Sequence, residues 1–139
     1  MKKGKVLNNE ISHVISTLGH TDTITIGDCG LPIPEHVKRI DLALTLGIPS
    51  FIETLSVVLS EQFVEKITIA KELKEKNIEV YKQMIALIKT IEKEQENSIE
   101  IIEISHEIFK KATEQSKAIV RTGETTPYSN IILHSGVVF

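Results

Sequence analysis

Cysteine occurs once in this chain of 139 residues, at Cys29. A lone cysteine cannot staple its own chain, so a reducing, cytoplasmic compartment is the simpler expectation. No Lys/Arg block stands out and the formal charge is −3, which argues against a nucleic-acid binder, since that needs a basic face. No apolar run approaches the roughly 20 residues of a membrane span. Met1 to Glu10 is polar and lacks the apolar centre of a signal peptide. There is no internal repeat and no low-complexity segment; the charged stretch Lys89 to Asn97 reads as the solvated end of a helix. No G-x-G-x-x-G, Walker A or G-x-S-x-G occurs, so nucleotide and acyl-transfer chemistry lose their usual support. Five histidines are present, but no H-x-x-x-H or C-x-x-C spacing joins them to a metal site. No metal and no cofactor are expected. His13 and His36 read as surface residues and His134 as packed or at an interface.

What is present is a core. Hydrophobic residues make up 41% of the chain, and a single domain of this length buries roughly two thirds of its unfolded surface. Ile11, Val14, Ile15 and Leu18 form a helical stripe over residues 8–18, stopped by Gly19. Thr23 to Asp28 alternates as a strand, and Arg39 to Leu44 is a second. Between them the glycine and prolines of Cys29 to Pro34 demand irregular chain. Ser50 and Glu53 form a capping box for a helix ending at Leu59. Phe63 to Ala70 favours a strand through Ile67-Thr68-Ile69. A long amphipathic helix is predicted over Ile78 to Glu96, with Val80, Met84, Leu87, Ile88 and Ile91 inward. Ile99 to Ile104 is a strand, Ser105 caps a helix from His106 to about Gln115, Lys117 to Arg121 is a short strand, and Ile131 to Phe139 is an apolar terminal one. Strands alternating with helices predict one α/β domain: a three-layer α/β/α sandwich around a sheet of about six strands. The last two strands have no helix between them, so the sheet is expected to be mixed.

Four segments gather reactive polar groups beside strand ends, where ligands of layered α/β domains usually sit. They are Gly19-His20-Thr21-Asp22, Gly27-Asp28-Cys29-Gly30, Ser105-His106 with Lys110, and Pro127-Tyr128-Ser129-Asn130. His20 follows a helix C-terminus, where the dipole favours the imidazolium and suits a proton donor; it can equally be a polar residue finishing a helix. Asp28 can hold hydroxyls or orient an imidazole, or simply close an Asx-turn. His106 and Lys110, four apart, share a helix face, as exposed residues of any surface helix also do. Tyr128 and Asn130 offer donors and acceptors to vicinal hydroxyls, yet Pro, Ser and Asn also make an ordinary turn.

Read together in order, these pieces are similar to the D-ribose pyranase and fucose mutarotase family. The matching stretches are Met1 to Gly4, Leu18-Gly-His20-Thr-Asp22, Gly27-Asp28-Cys-Gly30-Leu-Pro-Ile-Pro34, Arg39-Ile-Asp41 and Gly47-Ile-Pro49. They continue with His106-Glu-Ile-Phe-Lys110, Arg121-Thr-Gly-Glu124, Pro127-Tyr-Ser-Asn130 and Gly136-Val-Val-Phe139. The resemblance implies a mutarotase that acts on free D-ribose, with His20 as the acid/base residue. It implies Asp28, His106, Lys110, Tyr128 and Asn130 as sugar contacts, with Ser129 contributing backbone. It also implies a homo-oligomer, a ring-shaped decamer whose sites lie between subunits, with His20 from one chain and Asn130 from its neighbour. The ribose branch is favoured over the fucose branch. Asp28 is expected to orient His20 or a sugar hydroxyl. The other classes left open are a non-enzymatic sugar-binding accessory of ribose uptake, which does not need His20, and, ranked low, a metal-dependent hydrolase.

Overall fold

A computed structural model describes every residue from Met1 to Phe139. The first helix, α1 (Asn9–Thr17), starts where the Asn8 side chain accepts the Ile11 N–H at 2.9 Å, and it buries Ile11 and Val14. Leu18 is already extended, so the helix stops short of Gly19. Strand β1 (Thr23–Gly27) is buried from Ile24 onward. Strand β2 (Lys38–Asp41) is shorter than its sequence suggests. It is an edge strand whose partner β5 (Ala118–Arg121) runs out where Asp41 faces Arg121. With nothing further to pair with, the chain leaves the sheet and exposes Leu44 and Leu46.

Helix α2 (Phe51–Leu59) begins with the expected capping box: Ser50 accepts the Glu53 N–H while Glu53 accepts the Ser50 N–H. Strand β3 (Val64–Ala70) leads into α3 (Lys71–Lys76), a turn and a half that the sequence reading did not foresee. Its six residues, KELKEK, carry one buried apolar side chain, Leu73, too little for a periodic signal. Helix α4 (Ile78–Gln95) buries Met84, Ile88 and Ile91, and ends with Glu96 in the left-handed region. Strand β4 (Glu100–Ile104), helix α5 (His106–Ala112), a 3-10 turn (Thr113–Gln115), β5 and β6 (Ile131–Ser135) complete the chain.

The six strands form one sheet in the order β2-β5-β1-β6-β3-β4. All neighbours are parallel except β6, which runs antiparallel to both β1 and β3. The sheet is therefore mixed, as the missing crossover helix requires. Alternate strand residues sort between two faces. Ile24, Ile26, Ile67, Ile69, Ile131 and Leu133 join α1, α2 and α4 in the main core. Ile119 and Ile132 face the other way, onto Phe109 of α5 and Leu31 and Val37 of the irregular segment.

The terminal strand does not reach Phe139 as the apolar run suggested. It ends at Ser135, because β3 offers no partner beyond Val64 and β1 none beyond Thr23. Past Gly136 the tail leaves the sheet, with Val138 82% and Phe139 100% exposed.

Candidate functional site

The topology sorts the expected site residues by the two ends of the sheet. Asp28 follows the end of β1, His106 follows β4, and Tyr128 to Asn130 precede the antiparallel β6. These three connections meet at one end of the sheet. His20 precedes the start of β1 and lies at the other. The five residues of β1 alone separate the two ends by roughly 17 Å. Within one chain, then, Asp28 is out of reach of His20.

At the first end lies a cleft of about 360 Å³ lined by Asp28, Cys29, Gly30, His106, Glu124, Thr125, Pro127 and Tyr128. Asp28 is only 8% exposed. Its Oδ1 accepts the Gly30 N–H at 2.9 Å, closing an Asx-turn, and its Oδ2 accepts from Asn130 Nδ2 at 3.0 Å. Asn130 Oδ1 in turn accepts the Asp28 backbone N–H at 2.8 Å. Burial raises the Asp28 pKa above the ordinary carboxylate value, and the Gly30, Asn130, His106 and Leu31 partners only partly offset it. Asn130 and Ser129 are fully buried. Asn130 thus holds Asp28 from beneath, and the Ser129 hydroxyl, buried without a partner, faces inward. Gly27 makes this pairing reachable: a Cβ there would stand 2.6 Å from Leu31 Cδ2 and 2.9 Å from Asn130 Oδ1.

His106 opens α5, where Ser105 accepts the Ile108 N–H and Glu72 accepts the His106 N–H at 3.0 Å. Its ring packs edge-on against Tyr128, with centroids 5.0 Å apart, and parallel to Phe109 at 6.3 Å. Nδ1 is buried with no hydrogen-bond partner. Tyr128 holds a left-handed backbone, φ 68°, which is uncommon for an aromatic residue. Three contacts pin it: Asn77 donates to the Pro127 carbonyl, the Asn130 N–H donates to the Tyr128 carbonyl at 2.8 Å, and Lys76 Nζ stands 5.5 Å from the Tyr128 ring centre. Lys110 is set apart. Its Nζ pairs with Glu107 at 2.7 Å, and it lines the neighbouring cleft with Pro32, Ile33, Pro34, Lys111 and Glu114. The shared helix face of His106 and Lys110 therefore does not put both at one cleft in a single chain.

Glu124 is a cleft residue to which the sequence reading gave no role. Its carboxylate accepts the N–H groups of Phe51, Thr125 and Thr126 at 3.2, 3.0 and 2.9 Å. Burial pushes its pKa up, but the Thr126 and Phe51 N–H groups outweigh that and hold it below the usual value. No local pattern announces this, because one of the partners lies 73 residues away.

At the other end a cleft of about 520 Å³ is lined by Ile15, Leu18, Gly19, His20, Glu61, Gln62, Phe63 and the tail from Ser135 to Phe139. The His20 side chain is 54% exposed, and its Nε2 stands 3.1 Å from both carboxylate oxygens of Glu65. Of the remaining histidines, His13 is exposed, His36 bonds the Glu114 carbonyl, and His134 Nε2 meets Thr68 Oγ1 at 3.0 Å.

Residues 1–138 match the model of the RbsD / FucU transport protein family. The chain is 55% identical to D-ribose pyranase of Haemophilus influenzae and 52% identical to that of Pasteurella multocida, each over the full length of both proteins. Its fold superposes on Bacillus subtilis RbsD complexed with D-ribose with a TM-score of 0.88, at 45% identity over all of both chains. The fucose mutarotase of Streptococcus pneumoniae, in complex with L-fucose, shares the fold with a TM-score of 0.81 at 23% identity, again over all of both chains.

Proposed function

The chain belongs to the RbsD / FucU transport protein family, and from that premise we propose that it is an isomerase that interconverts the β-pyranose and β-furanose rings of free D-ribose. The observation that carries this reading is the 55% identity to a D-ribose pyranase over the whole of both chains. The chemistry is modest. A cyclic hemiacetal opens when its ring oxygen gains a proton, its anomeric hydroxyl loses one, and the bond from the anomeric carbon to the ring oxygen breaks. The aldehyde then closes through a different hydroxyl. No oxidation state changes, and positioned acid/base groups typically supply about 10² to 10⁴-fold.

In this reading His20 delivers the proton to the ring oxygen. Asp28, held by Asn130 and the Gly30 N–H, accepts sugar hydroxyl protons as hydrogen bonds. His106 and Tyr128 wall the ring, Lys110 reaches a hydroxyl by exchanging its Glu107 partner, and Ser129 offers backbone. A site holding both His20 and Asp28 needs two chains, since each chain keeps them at opposite ends of its sheet. On this proposal neighbouring chains share the site; the ring-shaped decamer is carried over from the family resemblance and the cytoplasmic location from the lone cysteine. Assembly is supported by large apolar side chains left in the open on one chain, among them Leu44, Leu46, Ile48, Val138 and Phe139. No helix is long and apolar enough to cross a membrane.

Magnetisation-transfer NMR of ribose tests the reading. The protein should speed exchange between the β-pyranose and β-furanose signals, and His20→Ala should lose at least tenfold of that acceleration. Exchange no faster than in buffer rules the function out. Unchanged exchange in His20→Ala would favour a sugar-binding module or another acid. The same measurement on L-fucose separates the two branches of the family.

A further inference from the structure

We infer that Glu65 is a positioning residue for catalysis, acting through His20. The inference rests on the proposed role of His20 and goes beyond it. Glu65 is the second residue of β3, and β3 runs parallel to β1, so its start lies beside the segment that carries His20. Both Glu65 oxygens stand 3.1 Å from His20 Nε2, which fits one N–H shared between two acceptors.

Both partners stand on fixed backbone. The His20 segment is tied down by the Thr21 N–H to the Ser135 carbonyl at 2.9 Å and by the Gly19 N–H to Asp22 Oδ2 at 2.9 Å. The Glu65 stem lies under Gly136, where a Cβ would come within 3.2 Å of Glu65 Cβ, and the Gly136 N–H donates to the Phe63 carbonyl at 3.1 Å. No other acidic group is bonded to the imidazole. Asp22 is engaged with the Gly19 N–H and Lys117, and Glu61, across the cleft, with Lys2 and the Val6 N–H.

A carboxylate on Nε2–H settles which ring atom reacts. The neutral ring keeps its proton on Nε2, which leaves the lone pair on Nδ1. When Nδ1 takes a proton, the carboxylate stabilises the imidazolium in place, and Nδ1–H becomes the acid that the ring oxygen needs. A second group that fixes the tautomer and orientation of a catalytic histidine is a general device of acid/base sites. On one exposed chain the pair contributes little to stability. Its effect is on the geometry and charge of the reacting ring.

The test combines kinetics and spectroscopy on the assembled protein. Glu65→Gln should lower kcat for ribose ring exchange about tenfold with KM within about twofold, and Glu65→Asp should restore part of the loss. In the 15N spectrum of the neutral His20 ring, the wild type should show the widely split Nδ1 and Nε2 signals of a single tautomer, and Glu65→Ala should draw them together. A wild-type kcat in Glu65→Gln overturns the inference. So does a loss carried by KM alone, or His20 signals unchanged in Glu65→Ala. If the wild type itself fails to accelerate ribose exchange, the proposed function falls, and the His20 signals still decide whether Glu65 orders the ring.

Discussion

Asn130 and Asp28 exchange two hydrogen bonds in a buried setting, one to the Asp28 carboxylate and one from its backbone N–H. Asn130→Ala strands both partners, and a buried polar group left without a bond costs about 1–3 kcal/mol. We expect that loss in urea unfolding, together with a fall in ribose exchange as Asp28 loses its orientation. Asp28 also gives a signed pH effect. Its pKa is raised above 3.8 in the fold, chiefly by burial, so the folded protein binds this proton more tightly than the unfolded chain. Stability from the group is therefore full below 3.8 and is lost as pH rises through the raised value. Relative to Asp28→Asn, the wild type should lose stability as pH climbs through this acidic window. A flat difference between the two unfolding curves would contradict the assignment.

Among the elements, α2 and β6 make the clearest forecasts. The α2 capping box is complete, with Ser50 and Glu53 each satisfying the other's backbone. Ser50→Ala should cost about 1 kcal/mol, read as a lowered denaturation midpoint. Strand β6 places His134 beside Thr68 and Lys66. Burial, then the Lys66 charge, push its pKa from 6.5 down to about 4. The unfolded chain takes up the proton first, so stability present above 6.5 is lost as pH falls towards 4. His134→Gln keeps a partner for Thr68 and should remove this slope; the difference between wild type and variant across that window is the measurement. These forecasts differ in origin. The capping box could be read from four consecutive residues, whereas the His134 environment needed the pairing of β6 with β3, which no local pattern contains.

For the whole molecule, the separation of His20 from Asn130 by the length of the sheet makes assembly the central question. His20→Ala and Asn130→Ala proteins, each impaired, should regain activity when unfolded together and reassembled. In a random mixture about a quarter of shared sites combine an intact His20 with an intact Asn130. Properly reassembled rings with no recovered exchange would refute a site built by two chains. A monomer in light scattering would remove the assembly itself, and the exposed Leu44, Leu46 and Phe139 would then need another cover.

The sequence by itself determined the order of strands and most helices, the mixed sheet, the α2 cap and the α4 inner face. Each of these follows from spacing, β-branching or capping within a short window. It also singled out Asp28, His106, Tyr128 and Asn130, which the fold brings to one end of the sheet. Local patterns did not reveal α3, which is short and charged, or the early end of β6, which is set by where β1 and β3 stop. Only in three dimensions does His20 separate from Asp28, Glu65 meet His20 and Glu124 collect the Phe51 N–H. These depend on strand direction and on contacts between residues 45 to 73 positions apart, and periodicity along a chain carries no information about which distant residue a side chain will meet.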